Sequence, residues 1–221
     1  MALALVAEVS TPPLPDIFKI DGLLPEQDRV PLYNFLRHAG WKYGWKSNGK
    51  HDIYSFWHLH FAGHLKKSKT GAYDCADELK KNVPPLFVLW QNLEQHIFKG
   101  HTLLRCYANA HMYGIDGTLH TDSRKDNRYT AVYYPHETWE PNWGGETVLF
   151  NQDKTDIVGS FYPKPNRLAA FKGNIPHLAR GVSRTCPVLR ITLMFKTQDG
   201  PLEKGINYER AEGPHDLQKG E

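Results

Sequence analysis

Cysteine is scarce in this chain: Cys75, Cys106 and Cys186 are the only three among 221 residues. Their spacing is wide and no Cys-x-x-Cys pair occurs, which excludes a disulfide scaffold and a structural zinc knot. A reducing cytoplasm is the expected setting. Long apolar runs are also missing, and nothing approaches the roughly 20 residues needed to span a bilayer. The start, Met1-Ala2-Leu3-Ala4-Leu5-Val6-Ala7, has no basic residues and soon meets Glu8. It reads as a tail or a first strand rather than a secretory signal. Charge of one sign is lacking too. A net charge of +3 and a pI near 8.6 are too mild to indicate nucleic acid or an acidic membrane surface as partner. No internal repeat is visible, and nothing in the sequence sets an oligomeric state.

What is present fits one soluble domain with a substantial core. Hydrophobic residues make up 40% and charged residues 23%, and 6 Trp, 11 Tyr and 10 Phe suit a sheet-rich fold with an aromatic-lined pocket. Ile17-Phe18-Lys19-Ile20 reads as a short strand. Val30, Leu32, Phe35 and Leu36 recur at helical spacing before Gly40. Trp41 to Trp45 suggests another strand, and residues 46–72 look loop-like. Two helical stretches follow, one from Asp74 to Val83 and one from Leu86 to Phe98, with Pro84-Pro85 interrupting between them. From residue 102 the pattern changes to short strands: 103–107, 129–134, 146–150, 168–171 and 188–195, separated by Gly, Pro and Asn clusters. The expected class is α+β. Residues 102–197 would form a double-stranded β-helix core (jelly-roll, cupin-like), 1–101 strands and a supporting helical layer, and 198–221 a polar tail, all in one domain over 1–221.

Within the strand region stands Leu119-His120-Thr121-Asp122. In extended backbone, residues i and i+2 share a face, so His120 and Asp122 point together. Asn174-Ile175-Pro176-His177 offers a second imidazole. Two histidines and one carboxylate with open positions remaining is the ligand set of non-haem Fe(II) oxygenases. With 12 histidines in the chain, a His-x-Asp by itself is weak evidence, and its neighbours must support it.

They do so as an ordered set. Arg105-Cys106-Tyr107, His120-Thr121-Asp122, Arg128-Tyr129-Thr130, Tyr133-Tyr134, Trp139 and Gly144-Gly145-Glu146-Thr147 come first. Arg167 to Phe171, Pro176-His177, Pro187-Val188 and Arg190-Ile191-Thr192 follow. This order resembles the prolyl-4-hydroxylase-like branch of the Fe(II)/2-oxoglutarate-dependent dioxygenases over roughly residues 102–197. The segment from Cys106 to His120 is longer than the compact pattern. The resemblance implies Fe(II) on His120, Asp122 and His177, with 2-oxoglutarate as co-substrate, O2 as oxidant and ascorbate as a useful addition in vitro. It implies hydroxylation of an unactivated C–H bond with release of succinate and CO2. The far carboxylate of 2-oxoglutarate calls for a guanidinium, which can give two parallel bonds. Arg190 matches, with Thr192 on its face; Arg184 is the substitute. Tyr107 and one of Tyr133 and Tyr134 are candidate hydroxyl donors, with Tyr134 preferred. Only one of that adjacent pair can face inward.

Gly144-Gly145 could let backbone pass close to the site. Glu146 is not assigned to metal, since Asp122 already supplies the carboxylate. His58-Leu59-His60 with His64 could hold a metal, but reads better as an aromatic loop near the site mouth. Loops 45–72 and 123–128 are the expected substrate lips, and Asn109 is a minor candidate neighbour. The expected substrate is a small molecule or an amino-acid or peptide side chain, with no nucleic acid and no membrane partner. The alternative is a non-catalytic cupin-like protein that senses metal or 2-oxoglutarate.

Overall fold

A computed structural model describes residues 13–47, 53–63 and 72–202 of the protein. The start read as a tail or a first strand, His64, part of the 45–72 lip and residues 203–221 of the polar tail lie outside them.

Among the described residues ten strands form in chain order: β1 (Ile17–Asp21), β2 (Lys42–Trp45), β3 (Phe56–Ala62), β4 (His101–His111), β5 (Arg128–Tyr134), β6 (Thr147–Phe150), β7 (Ile157–Phe161), β8 (Arg167–Lys172), β9 (His177–Ala179) and β10 (Arg190–Asp199). Seven make a large antiparallel sheet in the order β1-β8-β5-β10-β4-β3-β2. The other three make a small sheet in the order β7-β6-β9. β1, β2 and β3 thus extend at both edges a sheet whose centre comes from the second half of the chain.

Alternation along the strands separates the two faces of the large sheet. On one face Cys106, Ala108, Ala110, Ala131, Ile191, Leu193 and Phe195 join a core with residues of the helices. α1 (Glu26–Arg37) contributes Tyr33 and Leu36, and α2 (Ala76–Asn82) contributes Leu79. α3 (Pro84–His96) adds Leu86, Leu89, Trp90 and Leu93, one stripe at helical spacing. The small alanines on the sheet let these larger side chains close the gap. On the other face Tyr107, Val132, Tyr134, Ala169, Phe171 and Met194 pack with Leu149 of β6 and Phe161 of β7. The large and small sheets therefore face each other as a double-stranded β-helix, and the site lies between them.

Three expectations change. Residues 46–72 are not all loop, because Phe56–Ala62 forms β3 between β2 and β4. The alternation of aromatic and histidine residues there is strand-like, and paired histidines obscured it. Pro84-Pro85 opens α3 rather than merely interrupting a helix. A proline in the first turn forfeits no hydrogen bond, since that N–H has no partner within the helix. β7 and β9 were not anticipated. β9 is three residues long and holds a site histidine, and the first residues of β7, Ile157 and Val158, are exposed.

Candidate metal and co-substrate site

His120 and His177 come together through their own backbones. The His120 N–H donates to the His177 carbonyl at 3.0 Å, and the His177 N–H returns to the His120 carbonyl at 2.8 Å. Gly117 N–H to Ala179 O and Asp122 N–H to Gly173 O, both 2.8 Å, continue the contact on either side. The His-x-Asp segment is thus extended by pairing with the β9 segment although no regular strand includes it. His120 and Asp122 do aim at one point, and His177 joins them.

Potential ligand atoms of His120, Asp122 and His177 all lie within 4.8 Å of one another. The His120 Nε2 is 3.6 Å from Asp122 Oδ1, and the His177 Nε2 is 3.2 Å from Asp122 Oδ2. Each imidazole has its other nitrogen tied to a backbone carbonyl: His120 Nδ1 to Thr118 O at 2.7 Å, His177 Nδ1 to Ile175 O at 2.9 Å. A carbonyl can only accept, so each Nδ1 carries the proton and each Nε2 presents a lone pair inward. That is the tautomer a metal requires, and the donor set fits a divalent first-row ion with open positions. Burial pushes the His177 pKa down, which favours the neutral, ligating form. Burial would raise the Asp122 pKa, but the Lys196 ammonium beside it holds it well below the usual carboxylate range.

The cluster opens into a pocket enclosing about 490 Å³, its mouth included. At the other end lies Arg190, 1% exposed, on β10. A buried guanidinium needs partners for its charge and its N–H groups. Its Nε donates to the Gly145 carbonyl and its Nη2 to Thr147 Oγ1 at 2.9 Å, while it rides 5.7 Å over the Tyr134 ring. The glycine pair allows this. Gly145 has φ +82°, and a Cβ there would stand 2.9 Å from Arg190 Cδ. Glu146 lies outside the ligand cluster.

Thr192 and Tyr107 line the pocket alongside Arg190. Tyr134 faces the same side but stands behind Arg190, its hydroxyl 2.7 Å from Thr147 Oγ1. Tyr133 points to the helical face and donates to Asn166 Oδ1 at 3.0 Å. Arg184 is exposed and does not line the pocket. Asn109 lines it and bonds His58 Nδ1 at 2.7 Å. His58 and His60 lie on β3, with His58 stacked on Trp45 at 4.0 Å, and neither belongs to the ligand cluster found among the described residues.

Four residues in or beside the pocket were given no role by the sequence. Thr147 bridges Arg190 and Tyr134. Thr130 donates to Asp122 Oδ2 at 2.6 Å, and Lys196 donates to that same oxygen. His111 pairs with Arg190 across β4 and β10. Burial, with Arg190 beside it, lowers the His111 pKa to about 3, and the same causes lower His136, which accepts from the Ile191 N–H at 3.0 Å, to about 3. For Lys196 a signal existed: Arg190, Thr192, Met194 and Lys196 are alternate residues of one strand and share its pocket face.

Comparison with known proteins places these features in context. A family model described as the 2OG-Fe(II) oxygenase superfamily matches residues 106–195. A prolyl-4-hydroxylase from Pseudomonas putida has a TM-score of 0.54 and 17% identity, covering 84% of this chain and 94% of that one. A 2OG-Fe(II) oxygenase family oxidoreductase from Burkholderia pseudomallei has a TM-score of 0.63 and 12% identity, covering 87% and 88%. HygX from Streptomyces hygroscopicus, solved with nickel and 2-oxoglutarate bound, has a TM-score of 0.56 and 9% identity, covering 89% of each chain. At these identities the likeness is one of fold. No curated protein sequence matches the chain. No helix among the described residues is long and apolar enough to cross a membrane.

Proposed function

We propose that the chain is a member of the 2OG-Fe(II) oxygenase superfamily, an enzyme class that takes Fe(II) and 2-oxoglutarate, and that it hydroxylates an unactivated C–H bond. In this reading His120, Asp122 and His177 hold the iron, and the product besides the hydroxylated substrate is succinate with CO2. The observation that carries it is the pairing of two inward Nε2 lone pairs and one carboxylate with a buried guanidinium at the far end of the same pocket. When bound, the iron supplies activation of O2, and 2-oxoglutarate supplies the other two electrons that the reaction requires.

The residues of the chain bind, orient and shield. Nδ1–H bonds to backbone carbonyls fix both imidazoles. Thr130 and Lys196 fix the carboxylate. Arg190, steadied by Gly145 and Thr147, receives the far carboxylate of 2-oxoglutarate, with Thr192 and Tyr107 on the walls. Tyr134 acts from behind, as the ring and hydroxyl that seat Arg190 and Thr147. The apolar walls of Val132, Phe171 and Met194 keep water from the reacting atoms.

The substrate in this reading is a small molecule or an amino-acid or peptide side chain. The deciding experiment measures succinate release with Fe(II), ascorbate and a panel of amino acids, peptides and metabolites. Stimulation by one panel class identifies the substrate type. Binding of 2-oxoglutarate with no turnover across the panel and no slow uncoupled succinate formation would refute the hydroxylase reading.

A further inference from the structure

Asp122 is the only carboxylate among the pocket-lining residues, and it does not stand there as a bare anion. The Lys196 ammonium donates to Asp122 Oδ2 and, at 2.9 Å, to Thr130 Oγ1. Thr130, itself fully buried, donates its own hydroxyl hydrogen bond to the same Oδ2 at 2.6 Å. The lysine side chain is 12% exposed, and its Nζ lies 5.9 Å from the Tyr107 ring centroid. Both oxygens of this carboxylate are within 3.6 Å of a histidine Nε2. A buried Asp–Lys pair in a core only has to satisfy itself. This one sits on the sole anionic donor of a candidate iron centre.

We propose that Lys196 is a tuning residue which, through Asp122, holds the bound iron in its ferrous state. The inference rests on the reading of His120, Asp122 and His177 as iron ligands. Its physics is Coulombic. Ferric and ferrous iron differ by one positive charge, and a fixed cation on the ligand carboxylate repels the ferric form more. In a site walled by Val132, Phe171 and Met194, that repulsion is poorly screened. Arg190 adds charge of the same sign, but at the far end of the pocket, where the co-substrate carboxylate would neutralise it. Lys196 is held instead on the ligand carboxylate itself, its ammonium bonded to Asp122 and Thr130 beside the Tyr107 ring.

The test is an anaerobic redox titration of the iron-loaded protein without 2-oxoglutarate, following the ferric signal by electron paramagnetic resonance. In Lys196→Met the ferric–ferrous equilibrium is expected to move at least tenfold toward ferric. For one electron that is a potential about 59 mV lower. Lys196→Gln, which keeps a polar donor but no charge, should move the same way. Lys196→Arg should stay near the wild type. Cobalt(II) titration separates this from a merely structural role. Loss of charge repulsion leaves cobalt affinity equal or tighter in Lys196→Gln, whereas a loosened carboxylate would weaken it. A potential unmoved or raised in both neutral variants, measured on protein that still binds iron, overturns the role of Lys196 alone. Wild-type protein that takes up no stoichiometric iron overturns both this inference and the ligand assignment beneath it.

Discussion

The imidazoles of His120 and His177 lie 4.5 Å apart, centroid to centroid, because the two residues exchange both of their backbone hydrogen bonds. The relationship is made of main chain, so it persists when either side chain is removed. It follows that His120→Ala, Asp122→Ala and His177→Ala should each leave the fold intact. Each should abolish stoichiometric Fe(II) or Co(II) binding and reduce succinate release by more than about a hundredfold. Far-ultraviolet circular dichroism, metal analysis and turnover together check this. Retained metal in Asp122→Ala would move the site elsewhere.

Arg190 makes two directed bonds inside the protein, and a lysine offers one compact charge on a flexible stem. Arg190→Lys should therefore weaken 2-oxoglutarate by at least about tenfold, the worth of one charge-assisted hydrogen bond. The measurement is a 2-oxoglutarate titration of the Co(II)-loaded protein. Arg184→Ala, which alters an exposed side chain outside the pocket, should leave that affinity unchanged.

Gly145 combines a left-handed φ of +82° with a space already filled by Arg190 Cδ, Trp139 and Val182. Gly145→Ala should cost about 1–3 kcal/mol of stability from the forbidden φ and the clash. It should also weaken 2-oxoglutarate, because the displaced group is Arg190. The adjacent Gly144 shares the positive φ but meets nothing closer than 3.8 Å, so Gly144→Ala should cost stability with less effect on the co-substrate. Thermal melts and co-substrate titrations of the two variants provide the comparison.

Acid sensitivity should come partly from two buried histidines that sit beside Arg190 and outside the His120–Asp122–His177 cluster. Burial, with Arg190 beside them, lowers His111 and His136 to about 3. Unfolded, each would titrate near 6.5. Between those values the unfolded chain binds more protons, so stability falls as pH drops from about 6.5 toward 3, by up to about 1.4 kcal/mol per pH unit for each histidine. His111→Phe, beside Phe56 which already stacks on it, should flatten that slope by one proton. Urea denaturation at a series of pH values measures the slope, and an unchanged slope in the variant would show that His111 does not contribute.

The clustering of His120, Asp122 and His177 was legible because their chemistry is tied to residue type and to a two-residue spacing that any extended segment preserves. Arg190 was legible for a related reason, as a charge interrupting an apolar strand. Thr147 and Thr130 were not, because a threonine in a strand is ordinary and only the fold shows what its hydroxyl meets. Lys196 lies on the face that Arg190 and Thr192 define, and carrying that alternation two steps further would have found it. β3 was hidden by its own composition, since His58 and His60 invite a chemical reading where the segment also pairs β2 with β4. The choice between Tyr133 and Tyr134 needed the partners of each ring, and these lie on strands far away in sequence.

β1 pairs with β8, Ile17 opposite Phe171, and Asp21 clasps the guanidinium of Arg167 with contacts of 2.6 and 3.0 Å. The strand synthesised early therefore waits for a partner that leaves the ribosome only after most of the protein has been made. Until then β1 has nowhere to dock. Its pairing is a late, long-range event, and loop-closure entropy makes such events slow. Changes at Asp21 should thus act mainly on how fast the native protein opens, and on how much of the newly made chain is lost to aggregation, before they touch the iron chemistry at all.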